Sequence, residues 1–330
     1  MMRFLLCIAL ALTFASIAEG ARAGSLQHSE LQQDFKTLAK GLDGRAGICA
    51  LDATGAACVN GDQRFSLQSV MKLIAGLAVM DAAERGALKL DDAVIVHRQD
   101  LSLNVQPLAA LVGENGYRTT IDELVRRAIV DSDSTAVDIL IRKLGGTDQV
   151  QAFLDRKKIS GVRIDRDERH LQTEIAGLTW RPEYVDAHAL DKAIASIPDA
   201  RRTEAYKRYQ ADIRDTATPR DMAKLLYALA SGKLLSTAST RRILDIMQQT
   251  ATGPDRLKAG LSQGWILAHK TGTSGSWQGV TAATNDVGVL KAPDGGIMAV
   301  VVFIGDSKAP AAACAKLMAK VSAAIIAQYR

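Results

Sequence analysis

The sequence predicts an α/β fold of the α+β kind: an antiparallel sheet flanked by helices, built from both termini, with an all-helical domain inserted. Three observations carry this. Strand-type runs lie near the start (about 46–52 and 57–61) and again near the end (from Trp265, Asp286 and Ile297). Between them, apolar residues recur at helical spacing. The stretch Ser69–Met80 is apolar on nearly every side, so it reads as a helix inside the protein. The expected division is 24–68 with 215–330 for the sheet domain and 69–214 for the helical one, after a leader at 1–23. A cleft between the two is the expected binding site.

In chain order, residues 25–41 read as a helix with Leu31, Phe35 and Leu38 on one face. Ala53-Thr54-Gly55 is a hairpin turn between the first two strands. The central helix starts at Ser69 and ends near Gly86. Residues 91–118 read as irregular and polar. Thr120-Ile121-Asp122-Glu123 reads as a capping box, hydroxyl and carboxylate each satisfying a free N–H. The helix it opens breaks at Asp131-Ser132-Asp133-Ser134, and the next runs from Thr135 to Gly145. Residues 163–172 are dense in charge, as a solvated face is. Two amphipathic helices fit near 187–197 and 201–212. Thr218-Pro219 is an N-cap followed by Pro at the first helical position. A helix follows near 238–250, then three strands, the last two joined at Pro293-Asp294-Gly295-Gly296. A closing helix carries Cys314, Leu317, Met318, Val321 and Ile325 at helical spacing.

Composition is that of a globular chain: 330 residues, 48% hydrophobic and 23% charged, enough for a sizeable core. Met1-Met2-Arg3, an apolar run to Ala18 and the small-residue site Ala21-Arg22-Ala23 read as a secretory signal peptide, which implies a periplasmic or secreted protein. Net charge is +5 without a basic run, and aromatics are 5%, which argues against a nucleic-acid surface. No later segment is long and apolar enough to span a bilayer. Of four cysteines, Cys7 leaves with the leader, Cys314 reads as core, and Cys49 and Cys58 form either a cross-strand disulfide or two separate thiols. The five histidines are scattered and no Cys-x-x-Cys occurs, so no metal or cofactor is expected.

Ser69 and Lys72 are three apart, hence neighbours on a helix. A serine hydroxyl needs a base to become a nucleophile, and a lysine held among apolar groups and other cations can serve. A helix N-terminus adds free N–H groups beside the serine. Ser-x-x-Lys nevertheless occurs about once by chance in a chain this long. Ser132, at a turn between two helices, either relays a proton or, with Asp133 and Ser134, merely caps the second helix. Lys270-Thr271-Gly272, at a strand end, aims one lysine at a cleft while its glycine permits close approach.

Ser-x-x-Lys at 69, Ser-Asp-Ser at 132 and Lys-Thr-Gly at 270, in that order, match the motif set of the penicillin-recognising serine enzymes. The chain resembles class A β-lactamases. Arg163-Ile164-Asp165-Arg166-Asp167-Glu168-Arg169-His170-Leu171-Gln172 is similar to the family's Ω-loop, and Glu168 follows Ser132 at the family's interval. His269–Gly275 with Thr281–Asp286 resembles the PER-type branch most. The resemblance covers nearly all of the mature chain except about 173–213.

The resemblance implies the serine β-lactamase and penicillin-binding-protein fold and these roles. Ser69 attacks the lactam carbonyl, Lys72 helps deprotonate it, and Ser132 passes the proton to the lactam nitrogen. The N–H groups of Ser69 and Thr273 form the oxyanion hole. Lys270, Ser132, Thr271 and Thr273 hold the substrate carboxylate. Arg256 is either a further carboxylate-assisting group or a surface charge. Glu168 activates the hydrolytic water and Gln172 helps position it. Arg166 and Asp215 pair to close the loop. The implied partners are small-molecule β-lactams, with no nucleic acid, no stable membrane insertion and a monomeric state.

Three departures stand out. Ser134 replaces the Asn that contacts the substrate's acylamino group. Arg169 replaces a Pro that the family often joins by a cis bond, which puts the geometry of Glu168 in question. Roughly 40 residues separate Gln172 from Arg214, an insert expected beside the cleft mouth, with Glu174 as fallback base if the loop is reorganised. The competing readings are a D,D-peptidase or transpeptidase, which lacks a matching glutamate, and a non-enzymatic β-lactam or muropeptide sensor.

Overall fold

A computed structural model describes residues 23–330, so all but the last residue of the leader assigned to 1–23 lies outside the described residues. The elements in chain order are α1 (His28–Lys40), β1 (Arg45–Leu51), β2 (Ala56–Val59), β3 (Phe65–Ser66), a 3₁₀ turn (Gln68–Val70), α2 (Met71–Glu84), β4 (Ala93–Val96), β5 (Tyr117–Thr120), α3 (Ile121–Val130), α4 (Ser134–Leu144), α5 (Thr147–Arg156) and α6 (Glu168–Ile175). They continue as α7 (Ala187–Ala195), α8 (Asp199–Ala211), β6 (Thr216–Ala217), α9 (Pro219–Ala230), α10 (Thr237–Gln248), β7 (Ile266–Thr273), β8 (Ser276–Trp277), β9 (Val280–Lys291), β10 (Ile297–Ser307) and α11 (Ala311–Ala327).

Strands from the two ends of the sequence make one antiparallel sheet in the order β2-β1-β10-β9-β7, with β8 paired to β9. Alternation along each strand assigns its side chains to two cores. Ile48 and Ala50 on β1, with Val300, Val302 and Ile304 on β10, face α1 and α11 through Leu31, Phe35, Cys314, Met318 and Val321. Cys49, Val301 and Phe303 point the other way, into the larger core with α2 and α9. Cys49 and Cys58 sit opposite each other across β1 and β2 and are joined by a disulfide, which settles that alternative. The chain ends are tied together, because the Ser25 N–H donates to the Arg330 carbonyl at 2.7 Å and the Arg330 N–H returns to Ser25.

Helix α2 is buried at every residue from Met71 to Ala82. It therefore has no wet face to present a charge, and Lys72 and Asp81 must find partners inside. Each large apolar side chain buried here contributes about 1.5–3 kcal/mol. Gly76 is the close-contact point: a Cβ there would lie 3.1 Å from the Ile129 side chain on α3.

Several expectations are corrected. Residues 91–118 are not wholly irregular: β4 and β5 pair, and Val94 and Val96 turn inward while Ala93 and Ile95 face solvent. Thr120 accepts from the Glu123 N–H, but the reciprocal half of the capping box is missing, because the Glu123 carboxylate pairs with Arg126 and Arg127 instead. Helix α5 adds an element that the sequence reading did not name. The charge-dense run at 163–172 is no solvated face. It enters α6 with Asp167 as N-cap, and Glu168 and Leu171 are buried.

Candidate active site

Ser69 lies in the 3₁₀ turn that leads into α2, one turn earlier in character than the α-helical start expected, and it opens onto a cleft of about 370 Å³. Gly272 on β7 makes this possible. A Cβ there would lie 2.6 Å from the Leu67 carbonyl and 3.2 Å from the Ser69 and Val70 nitrogens, so only a glycine lets the strand lie flat against the turn.

Lys72 is 1% exposed, and its ammonium meets three oxygens: the Ser132 carbonyl at 2.7 Å, Ser134 Oγ at 3.0 Å and Glu168 Oε1 at 3.1 Å. An ammonium has three protons, and the two oxygens of Ser132 and Ser134 accept two of them. The contact with Glu168 is a close ion pair rather than a well-aligned hydrogen bond, since that oxygen has no hydrogen-bond partner. Glu168 Oε2 accepts from Gln172 Nε2 at 3.1 Å, and the same nitrogen reaches Gln68 Oε1 at 3.2 Å.

Ser132 has φ +58°, a left-handed conformation uncommon outside glycine. The turn makes Ser132 a bridge between two lysines. Its carbonyl takes Lys72, and its hydroxyl accepts from Lys270 Nζ at 2.9 Å. Asp133, not Ser132, caps α4, accepting from the Ala136 N–H. Ser134 lines the cleft but is 1% exposed, and it spends its hydroxyl on Lys72. Lys270 also donates to the Thr271 carbonyl at 2.8 Å. Burial, reinforced by the nearby charge of Lys72, holds the Lys270 ammonium well below the ordinary lysine range. An arriving anion would return that proton affinity.

The Thr271 hydroxyl meets Thr252 at 2.5 Å, whereas Thr273 faces the cleft. Arg256 is tied to the strand: Nη2 donates to Thr273 Oγ1 at 2.7 Å and Nη1 to the Asn285 carbonyl at 2.8 Å. It is thus built against the Lys-Thr-Gly strand rather than standing as a free surface charge.

The segment holding Glu168 is fixed from two sides. Arg166 Nε pairs with Asp215 Oδ2 at 2.6 Å, and Asp215 Oδ1 accepts the N–H groups of Asp165 at 2.7 Å and Arg166 at 3.0 Å. Glu174 pairs with Arg166 and Arg214, turned away from Lys72, so it does not stand in for Glu168. On the other side is Asp138, a fully buried carboxylate on α4 that the sequence reading did not single out. It accepts from the Glu168 N–H at 2.8 Å, the Arg169 N–H at 3.3 Å and Ser102 Oγ at 2.6 Å. Burial, with the Asp167 charge adding, pushes its carboxyl up to about 7.

No cis peptide bond occurs among the described residues, so Arg169 follows Glu168 in trans. The Arg169 side chain holds the segment instead, donating to the carbonyls of Leu101 at 2.7 Å and Gln99 at 2.9 Å and lying over Trp180. Glu168 still reaches Lys72. Arg169 therefore supplies by side-chain contacts an anchorage that backbone geometry alone does not.

The insert after Gln172 folds into α7 and α8, and α8 crosses the cleft mouth. The Tyr206 hydroxyl is shared between the carbonyls of Gly275 at 2.9 Å and Val280 at 3.0 Å and accepts from the Ala282 N–H. Tyr209 contacts Ser66 and Gln68 at the turn that carries Ser69. Amphipathic spacing gave the helix. Which strand it would dock on was not in the pattern.

With this geometry in hand, the comparisons with known proteins are direct. A sequence model of the beta-lactamase enzyme family matches residues 30–329, and the chain belongs to that family. Its likeness is to class A members. It is 30% identical to beta-lactamase VEB-1 of Pseudomonas aeruginosa over 92% of the chain and 90% of VEB-1. It is 27% identical to the extended-spectrum beta-lactamase PER-1 of the same organism, over 86% of the chain and 82% of that protein. A crystal structure of a representative class A beta-lactamase from Bacteroides cellulosilyticus superposes with a TM-score of 0.74 at 25% identity, covering 92% of this chain and 98% of that one.

Proposed function

We propose that this protein hydrolyses the amide bond of β-lactams through a serine acyl-enzyme and so confers β-lactam resistance. One observation carries the reading: Lys72 and Glu168, each 1% exposed, meet at 3.1 Å beside the cleft that Ser69 lines. A hydroxyl, an amine and a carboxylate with room for water are what acylation and then hydrolysis require.

In acylation, Ser69 Oγ bonds to the lactam carbonyl carbon as its proton leaves toward Lys72, directly or through water. The carbonyl oxygen turns negative beneath the N–H groups of Ser69 and Thr273. The C–N bond then breaks, and the nitrogen takes a proton from the Ser132 hydroxyl, which is replenished from Lys270, the lysine it accepts from. Lys270, Thr271, Thr273 and Arg256 hold the ring carboxylate. In deacylation, Glu168 takes a proton from a water placed with the help of Gln172. The water oxygen adds to the ester carbon, the C–Oγ bond breaks, and Ser69 recovers its proton. Ser134, already bonded to Lys72, offers the substrate arm less reach than an Asn would.

A D,D-peptidase reading would leave Glu168 without a purpose, although burying a carboxylate is costly unless it is paired. The leader at 1–23 supports export to the periplasm. The division proposed is 24–68 with 215–330 and 69–214, with the cleft between sheet and helices, and one chain supplies every residue named, so a monomer suffices. Kinship to the PER-type branch rests on His269–Gly275 and Thr281–Asp286; 27% identity to PER-1 beside 30% to VEB-1 favours neither. The test is turnover of a chromogenic cephalosporin by the mature protein. Many ring openings per enzyme support the reading, and one stoichiometric burst would overturn it in favour of the peptidase or sensor.

A further inference from the structure

Helix α8 brings one more charged group to the cleft. Arg202 lines it together with Tyr206, Ile175 and Trp277. Its guanidinium carbon lies 3.9 Å from the centre of the Trp277 ring. Two other arginines of the insert are engaged with carboxylates, Arg181 with Glu183 and Arg208 with Glu204, and Arg201 does not line the cleft. Arg202 has no carboxylate partner and no side-chain hydrogen bond among the described residues. Stacking covers one face of the guanidinium and leaves its N–H edges open to an incoming group.

The stack is held in place. The Trp277 indole N–H donates to Thr203 Oγ1 at 3.0 Å, one residue along α8 from the arginine. Tyr206, one turn further, is bound to the backbone of the hairpin that carries Trp277. The helix and the hairpin thus fix Arg202 before any ligand arrives, which reduces the entropy lost on binding.

Position decides what it reads. Lys270 lies in the second half of β7, Thr273 ends that strand, and Trp277 lies beyond its end on β8. A lactam whose carbonyl sits at Ser69 and Thr273, and whose ring carboxylate points to Lys270, directs its amide side arm toward Trp277. We propose that Arg202 is a specificity-determining residue that binds an anionic group, a carboxylate or sulfonate, on that side arm, so that the enzyme favours β-lactams carrying a second negative charge. This rests on the β-lactamase reading above.

The test compares benzylpenicillin with carbenicillin, the same molecule bearing a carboxylate on the side arm. The readout is the ratio of kcat/KM for carbenicillin to that for benzylpenicillin in the wild-type protein, Arg202→Gln and Arg202→Lys. A charge-assisted contact of ordinary strength predicts a fall in this ratio of about tenfold or more in Arg202→Gln, carried by KM, with partial recovery in Arg202→Lys. Added salt should lower the wild-type ratio. An unchanged ratio in the variants, or an equal fall for both substrates, overturns the proposal. If Arg202→Gln does not fold, Arg202→Lys and the salt dependence still decide. Absence of turnover with either penicillin would instead defeat the β-lactamase reading itself, so the two failures are distinct.

Discussion

Replacing Glu168 by Gln tests the division between making and breaking the acyl-enzyme. The amide keeps the size of the carboxylate and loses its charge and basicity. An amide oxygen on one side still satisfies either Lys72 or the Gln172 amide, both now at 3.1 Å, but the other partner then faces an NH₂ group. One mismatched buried contact costs about 1–3 kcal/mol, which the fold should survive. Loss of a general base costs about 10²–10⁴ in rate, or roughly 3–5 kcal/mol of barrier. That loss falls on the step that uses water. Intact-protein mass spectrometry after mixing with benzylpenicillin should therefore show the protein accumulating with one penicilloyl group added, while steady-state turnover falls by the same 10²–10⁴. Turnover at the wild-type rate would refute the assignment of the base. Failure to acylate at all would mean that Glu168 is needed earlier, as the base for Ser69.

Three further outcomes follow from the same geometry. Asp215→Ala strips the buried Arg166 of its most buried anion and two N–H groups of their acceptor; with only the more exposed Glu174 and Asp212 left, urea unfolding should show a loss of about 3–5 kcal/mol. Gly272→Ala sets a methyl group 2.6 Å from the Leu67 carbonyl, so strand and nucleophile turn must separate, and acylation measured by stopped flow should fall at least about a hundredfold. Asp138 binds its proton more tightly folded than unfolded, about 7 against 3.8, so its contribution to stability declines as pH rises between those values. Asp138→Asn should remove that decline from unfolding curves compared at pH 5 and 7.5; equal slopes in both proteins would refute it.

Much of the site was legible because its spacing is physical. Residues 69 and 72 must be neighbours if the stretch is helical, and a glycine after Lys270-Thr271 marks a close approach whatever the family. The sheet was legible in its β-branched runs, since Val287, Val289 and Val300–Val302 leave little choice. Asp138 was not. A lone acid inside an apolar helix looks like a solvated residue until the backbone of 168–169 is seen folding onto it. Nor were β4 and β5, because four-residue strands give too few alternations to register a period. Arg202 and Tyr206 stood in a helix whose existence the pattern gave, but docking depends on partners some seventy positions away, and no local signal carries that.

The sheet's connectivity sets an order of events. Strand β1 pairs along its whole length with β10 and over Ile48–Leu51 with β2, and β10 is made only after almost everything else. A nascent chain therefore holds Ile48 and Ala50 exposed until the last strand and helix emerge, and no early fragment can close the layer that carries Lys270. Such long-range pairing folds slowly and leaves strand edges open to wrong neighbours in the interval. Trimming α11 should thus harm recovery of soluble protein far more than a change of equal size in α7, even though neither helix carries a residue of the proposed catalytic set.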